Sequence, residues 1–449
     1  MRLAPPRAGS PPPALPVVGV VALLALPHGA GGDGGAGPAD AASALLVVYC
    51  AIRAVRDRRR PLPRTAAVLF ALPVAAAGIA ALGAVSPGAG ITGLGRYAQV
   101  FALVPAAVLL LVRDRRDVRL LAWAFVALAG WQGVIGTHQY LTGTGASYQG
   151  EQVRAVGTFG AQDVMGMATV VSLGLVCAVG LALGRDSVRH RAVAAGCALL
   201  LVVPLAVSFS RGAWIATALT CAAQLLLAGV RRALTAGAAV AAACVVLVGG
   251  FGAGTAMLQE RISSITRVTA APDQSVTDRY TMWAAAVGMW REQPVTGVGL
   301  KGFPEYRDTH ASLALSSGSD TEGAGAAFRK QPLLSPHNMY LLVLAEQGLL
   351  GLLALVGGWL ALLVCALRRL PRARRSGQGL DCGLVACGLL VWLLTDFAYA
   401  DIGGPSTVLT AVSLGLAARW ALAEDACAGA AHGDAGEAAA RMAEGVGRR

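Results

Sequence analysis

Charge is scarce in this chain. Of its 449 residues only 14% are Asp, Glu, Lys or Arg, while 55% are hydrophobic, and the mean hydropathy is +0.60. A water-soluble body of this size needs more charge to cover its surface, so the composition excludes one and makes lipid the main solvent. Lysine is nearly missing, occurring only at Lys301 and Lys330, so the excess of 37 basic over 25 acidic residues is almost wholly arginine. The arginines are divided among loops and make no basic stripe interleaved with aromatics, which excludes a nucleic-acid groove. The excess suits an anionic membrane face or an anionic substrate. Nine cysteines are present, none in the large polar insert. No CxxC and no metal-ligand spacing occurs among them, so neither a disulfide framework nor a zinc site is supported.

What is abundant is apolar sequence. Runs near bilayer length fall at 14–28, 40–55, 64–84, 95–112, 118–140, 161–184, 190–208, 211–229, 233–252, 338–367, 380–399 and 402–421. In lipid every backbone N–H and C=O must be bonded internally, so runs this long predict helices, and the pattern predicts an all-α polytopic membrane protein of about twelve transmembrane helices. The first run is short and follows Arg2 and Arg7, the pattern of a signal-peptide hydrophobic region or of a first span. Arginines crowd alternate loops: Arg53–Arg60, Arg113–Arg119, Arg185–Arg191, Arg231–Arg232 and Arg368–Arg375. By the positive-inside bias these loops and both termini are cytoplasmic, and the large polar loop, 253–336, is extracytoplasmic. The organisation expected is N-terminal helices over 1–206, a core over 207–367 that holds the large loop, C-terminal helices over 368–421, and a cytoplasmic tail, 422–449, with too few apolar residues to pack.

Polar residues that stand out gather at one boundary. Ser335-Pro336-His337-Asn338 opens a long apolar run; Ser335 as N-cap and Pro336 at the first helical position would place His337 in the first turn. The positive helix end disfavours an imidazolium there and keeps the ring able to accept a proton; the plain alternative is a boundary histidine bonded to a neighbouring carbonyl. Arg211, in Ser208-Phe209-Ser210-Arg211-Gly212-Ala213-Trp214, lies between two runs joined by almost no loop. An arginine at membrane depth costs about 3 kcal/mol unless paired or snorkelled, so it is either an anion ligand or a snorkelling residue at a tight hairpin. Arg279 begins a stretch in which Trp283, Val287 and Trp290 recur at helical spacing, predicting a helix in the membrane interface with Arg279 in its first turn. Arg96, beside Tyr97 at an outer helix start, is a further candidate anion contact. Pro294–Gly299 reads as a turn, and Glu346 as a buried, partnered structural group or, in a transporter, a proton site. Asp163, Asp396 and Asp401 lie near helix ends without a pattern of their own, and Asp320-Thr321-Glu322 is a weak metal signal.

Together these pieces resemble the O-antigen ligase family, which shares a domain with O-antigen polymerases. The resemblance rests on Ser210-Arg211-Gly212-Ala213-Trp214, on Asp278-Arg279-Tyr280 with Trp283, Pro294-x-x-Gly297-x-Gly299 and Phe303, and on His337-Asn338-x-x-Leu341 with Glu346-x-Gly348-x-x-Gly351. It is strongest from Val207 to Ala361. It implies a C-type glycosyltransferase architecture in the cytoplasmic membrane. It further implies inverting transfer of a glycan from an undecaprenyl diphosphate carrier to an acceptor hydroxyl, with no metal and no other cofactor, as a step in cell-envelope polysaccharide synthesis. In that family the two arginines hold the diphosphate and the histidine acts on the acceptor, roles that fall on Arg211, Arg279 and His337. The partners implied are the polyprenyl-diphosphate-linked glycan, a lipid or other envelope acceptor, and membrane lipids. The rivals are a polymerase-like enzyme, a twelve-helix secondary transporter, which requires inverted repeats and broken helices at a midplane site, and a noncatalytic scaffold that binds polyprenyl diphosphate.

Overall fold

The computed structural model describes residues 13–27, 37–56, 62–148, 153–185, 187–231, 274–316, 319–323, 326–331, 333–404 and 406–422. Helix starts follow local chemistry. Ser86 accepts from the Ala89 amide at 3.2 Å to cap α4 (Pro87–Ala98), and Asp114 accepts from Asp117 at 2.9 Å to cap α6 (Arg115–Thr142). These side chains satisfy N–H groups that the helix itself leaves unpaired.

Among the described residues, seven helices are long and apolar enough to cross a bilayer. They are α2 (Pro38–Arg56), α3 (Arg64–Leu82), the continuous stretch Pro87–Leu111 that joins α4 to α5 (Val104–Leu111) through a π-helical turn at Gln99–Leu103, α6, α8 (Val188–Val207), α9 (Arg211–Ala228) and α12 (Met339–Ser376). Three more apolar helices are shorter: α7 (Gly166–Ala182), α13 (Leu380–Asp396) and α14 (Thr407–Leu422). At 1.5 Å per residue these reach only about 24–26 Å. They are buried on nearly every side, so their neighbours are protein rather than lipid and they need not match its thickness. The first apolar run forms only a nine-residue helix, α1 (Leu15–Leu23), about 14 Å long, docked on α6 by bonds from Trp131 and Gln132 to the Ala25 and Leu24 carbonyls. Twelve full-length spans are therefore not what the described residues show. The run expected at 233–252, the beginning of the large loop and the tail 423–449 lie outside them.

The expectation of an all-helical chain also needs correction. Ala146–Tyr148 (β1), Ser319–Gly323 (β2) and Ala326–Gln331 (β3) form a small antiparallel sheet in the order β1-β2-β3. It ties the loop after α6 to the large polar loop; periodicity had no purchase on strands of three to six residues.

The bundle has two unlike faces. On one, arginines clamp loops together: Arg115 donates to Gln378 at 3.1 Å, Arg119 pairs with Asp381 at 2.5 Å, and Arg374 donates to the Leu226 carbonyl at 3.1 Å. On the other, the ends of α3 and α12 meet the polar insert, which contributes α10 (Gln274–Glu292) and α11 (Phe303–His310), and the end of α8 meets the loop after α6. There Leu300 donates to the Ala80 carbonyl at 3.0 Å and Ala155 to the Val207 carbonyl at 3.2 Å.

The longest helix is broken where it meets the insert. Gly348 has φ +63° and ψ −161° inside α12, a region open in practice only to glycine. Pro294–Gly299, expected as a simple turn, is inserted into the break. Val298 and Gly299 donate to the Ala345 and Glu346 carbonyls at 2.9 and 3.2 Å, and Leu349 and Leu350 donate to the Pro294 and Val295 carbonyls at 2.9 and 3.2 Å. The broken helix that a transporter would require does occur, but here its freed groups are paired by the inserted segment rather than left to line a cavity. Glu346 is buried and accepts from the Phe303 amide at 3.2 Å, as expected of a partnered structural group.

Candidate functional site

Arg211 is the first residue of α9. The turn before it is tight because Phe209 adopts φ +49°, left-handed backbone that is uncommon for a large side chain. Ser208 Oγ donates to the Leu205 carbonyl at 2.6 Å, Ser210 Oγ accepts from Ala213 at 3.4 Å, and Trp214 Nε1 donates to the same Leu205 carbonyl at 2.7 Å. Gly212 lies so close to Tyr399 that an added Cβ would stand 3.0 Å from the tyrosine Cβ. The hairpin thus presents a guanidinium at a helix N-terminus, where unpaired N–H groups already favour an anion.

Arg279 lies in the second turn of α10, because the helix begins at Gln274 rather than at the arginine. Its neighbour Asp278 is buried and accepts from the Ser316 amide and hydroxyl at 2.8 and 2.6 Å, anchoring the loop after α11. One turn on, Trp283 is not simply an interfacial anchor: its Nε1 donates to the Pro336 carbonyl at 2.9 Å. Residues four apart share a helix face, so this bond brings Arg279 to the segment that carries His337.

His337 does not occupy the first turn of α12. Asn338 is the N-cap, accepting from Leu341 at 3.0 Å, and the helix starts at Met339. Ser335 has other work: its hydroxyl accepts from the His337 amide at 3.3 Å and donates to Asp401 Oδ2 in a short contact. His337 has φ +48°, a conformation that costs an L-residue about 1–2 kcal/mol and turns the chain just ahead of the helix. The side chain keeps 47% of its surface open, and Nδ1 lies 3.9 Å from Asp401 Oδ2. Crowding by protein lowers the basicity of the imidazole from its ordinary value; the Asp401 carboxylate raises it and the Arg279 guanidinium lowers it further. The lowering has the direction expected from a helix dipole, but its causes are lost hydration and then Arg279.

Asp401, which carried no pattern in the sequence, belongs to the segment that gathers the site. Phe397–Gly404, after α13, reaches the surroundings of His337, Arg211 and Arg96. Asn338 Nδ2 donates to the Ala398 carbonyl at 3.0 Å, and the Met339 amide meets the Phe397 and Ala400 carbonyls at 2.8 and 3.0 Å. Tyr399 covers Gly212, Asp401 faces His337, and Gly404 offers its carbonyl to Arg96 at 3.2 Å. Tyr399 and Asp401 are two residues apart, at most about 7 Å along the chain, so the Arg211 turn and His337 approach one short stretch of backbone. The segment is tied down at its far end by Asp163, which accepts from Ser406 Oγ at 3.1 Å and whose carboxyl is pushed up to about 6 by burial against the pull of its hydrogen bonds.

Arg96 is not at a helix start. It sits in the third turn of α4, which begins at Pro87. It pairs with Asp40 at 2.5 Å and with Gln99 at 3.1 Å. Its charge is met within the chain, and its second nitrogen reaches the Gly404 carbonyl, so it supports the gathering segment. Among the described residues no group of three or more His, Cys, Asp or Glu side chains converges as a metal site; the side chains of Asp320 and Glu322 lie outside them.

No curated protein matches this chain. The O-antigen ligase family model matches residues 195–356, which include the Arg211 turn, the Arg279 helix, the Pro294–Gly299 insertion and His337. The chain is thus a polytopic helical membrane protein whose residues 195–356 are similar to the O-antigen ligase family.

Proposed function

We propose that this protein transfers a glycan from a polyprenyl diphosphate carrier to an acceptor hydroxyl at the outer face of the cytoplasmic membrane. The observation that carries this is the placement of His337 within the electrostatic reach of Arg279 and against the same short stretch, Tyr399–Asp401, that packs on the Arg211 helix start. The face that bears it lies opposite the arginine-clamped loops, and arginine-rich loops stay cytoplasmic, which supports an outward-facing site.

In this reading the diphosphate lies against the N-terminus of α9, where the Arg211 guanidinium matches its oxygens bidentately, with Arg279 opposite. As the bond from the anomeric carbon to the diphosphate oxygen lengthens, negative charge grows on the leaving group and both guanidinium groups gain interaction energy. His337 Nε2 takes the proton of the attacking hydroxyl. Attack opposite the leaving group inverts the anomeric configuration.

The test is transfer from a radiolabelled undecaprenyl diphosphate oligosaccharide in proteoliposomes that contain an envelope lipid extract. His337→Ala and Arg211→Ala are each expected to lower the rate by about a hundredfold or more, the scale of a lost general base or charge stabiliser. Full transfer by both variants, with chemistry limiting the rate, refutes the proposal.

A further inference from the structure

Asp401 lies between two claimants. Its Oδ1 accepts from the Gly403 amide at 3.0 Å, which fixes the carboxylate's orientation. Its Oδ2 takes the Ser335 hydroxyl and faces His337 Nδ1 at 3.9 Å, beyond a hydrogen bond. Ser335 also holds the His337 amide, so serine, histidine and aspartate form one closed knot, although Ser335 and Asp401 are 66 residues apart. A serine donor beside a histidine that requires a carboxylate on its far nitrogen is an arrangement with two settings. In one the serine occupies the oxygen. In the other the imidazole does.

We infer that Asp401 is the positioning residue for His337: it receives the Nδ1–H as the ring takes up the acceptor's proton, so that Nε2 is the nitrogen left to act as base. This rests on the transfer reaction proposed above. The balance of the step is complete. The hydroxyl proton passes to Nε2, the oxygen bonds to the anomeric carbon, the bond from that carbon to the diphosphate oxygen breaks, and its electron pair leaves with the diphosphate. The ring becomes an imidazolium for the lifetime of the step, close to Arg279. Asp401 is the carboxylate that faces it, and among the described residues the other charge acting on the ring is the like charge of Arg279. Hydrogen bonds of this kind are often long in the unliganded enzyme and close when substrate is bound, and here closure needs a movement of about 1 Å from 3.9 Å to hydrogen-bonding distance. The strained backbone at His337, φ +48°, holds the ring where a small rotation makes the contact.

The charged groups acting on the imidazole are Asp401 from the segment after α13 and Arg279 from α10; Ser335, on the ring's own segment, is uncharged. Asp401→Asn keeps the shape and an acceptor for Ser335 while removing the charge. It is expected to lower kcat at least about tenfold with little change in the KM for the labelled carrier, the share of a general base's effect that rests on its partner. It is also expected to lower the titration midpoint of His337 by about one unit, read from diethyl pyrocarbonate modification against pH as the difference from His337→Gln, a readout that needs no substrate. Ser335→Ala frees Oδ2 for the ring and is expected to move the midpoint upward, opposite to Asp401→Asn. If Asp401 merely clamps the loop, the two variants lose activity together and neither moves the midpoint, which overturns the inference. If His337→Ala itself retains full transfer, it is the proposed reaction that fails.

Discussion

Gly348→Ala is the sharpest test of how this fold is held. The residue's φ of +63° and ψ of −161° would strain any residue with a side chain by about 1–3 kcal/mol. The added Cβ would stand 2.3 Å from the Val295 carbonyl oxygen, 2.4 Å from its carbon and 2.6 Å from the Thr296 nitrogen. All three are backbone atoms, so nothing can rotate away and the inserted segment must move. Four hydrogen bonds between that segment and α12 are then at risk, each worth about 0.5–1.5 kcal/mol net. Losing half to all of them with the strain gives roughly 2–9 kcal/mol, against about 1 kcal/mol gained from alanine's helix propensity and a whole-protein stability of about 5–15 kcal/mol. The loss dominates. The internal control is Gly357→Ala in the same helix, where an added Cβ meets nothing within 4 Å, so only the propensity gain remains. The assay is thermal denaturation in detergent, followed by size-exclusion fluorescence. Gly348→Ala is expected to lose about 2–16 °C, the net of about 1–8 kcal/mol at roughly 2 °C per kcal/mol, or to be recovered only as aggregate, with Gly357→Ala equal to or above wild type. A Gly348→Ala protein that melts with the wild type would refute the account of the break as a paired, glycine-dependent joint.

Other expectations concern the site. Arg211→Lys and Arg279→Lys keep the charge but lose the planar fork, and each is expected to lower kcat by about tenfold or more while the protein stays folded, which circular dichroism checks. Transfer is expected to rise with pH along an acid limb whose midpoint lies below the ordinary histidine value of about 6.5, because crowding and Arg279 both oppose protonation of His337. Arg279→Gln removes one of these terms, so more of the ring is protonated at a given pH and the limb of the residual activity moves to higher pH; a shift the other way contradicts the geometry. For Asp40 and Arg96, whose side chains are 12% and 21% exposed, a double-mutant cycle with Asp40→Asn and Arg96→Gln is expected to give a coupling of about 1–2 kcal/mol, between the surface and the buried limits. Additive losses would show that the pair does not hold Arg96 to Gly404.

The sequence by itself determined the solvent and the alternation of basic loops. Both are sums over many residues: low charge and repeated apolar runs leave a chain few options in lipid, and arginines at 113–119 and 368–375 do end on one face. The residue types of the candidate site were legible too, since Arg211, Arg279 and His337 stand out as polar groups at apolar boundaries. Only tertiary structure decided how they meet. Periodicity sees contacts within a helix, and the contacts that build this site join residues far apart in the chain: Trp283 to Pro336, Ser335 to Asp401, Gly212 to Tyr399. The same limit hid the true N-cap, because Ser335 and Asn338 are both good caps locally and a carboxylate from the distant segment after α13 claims the serine. It hid the joint at Gly348 as well, since a glycine in an apolar run looks like any other until the segment that fills its break comes into contact.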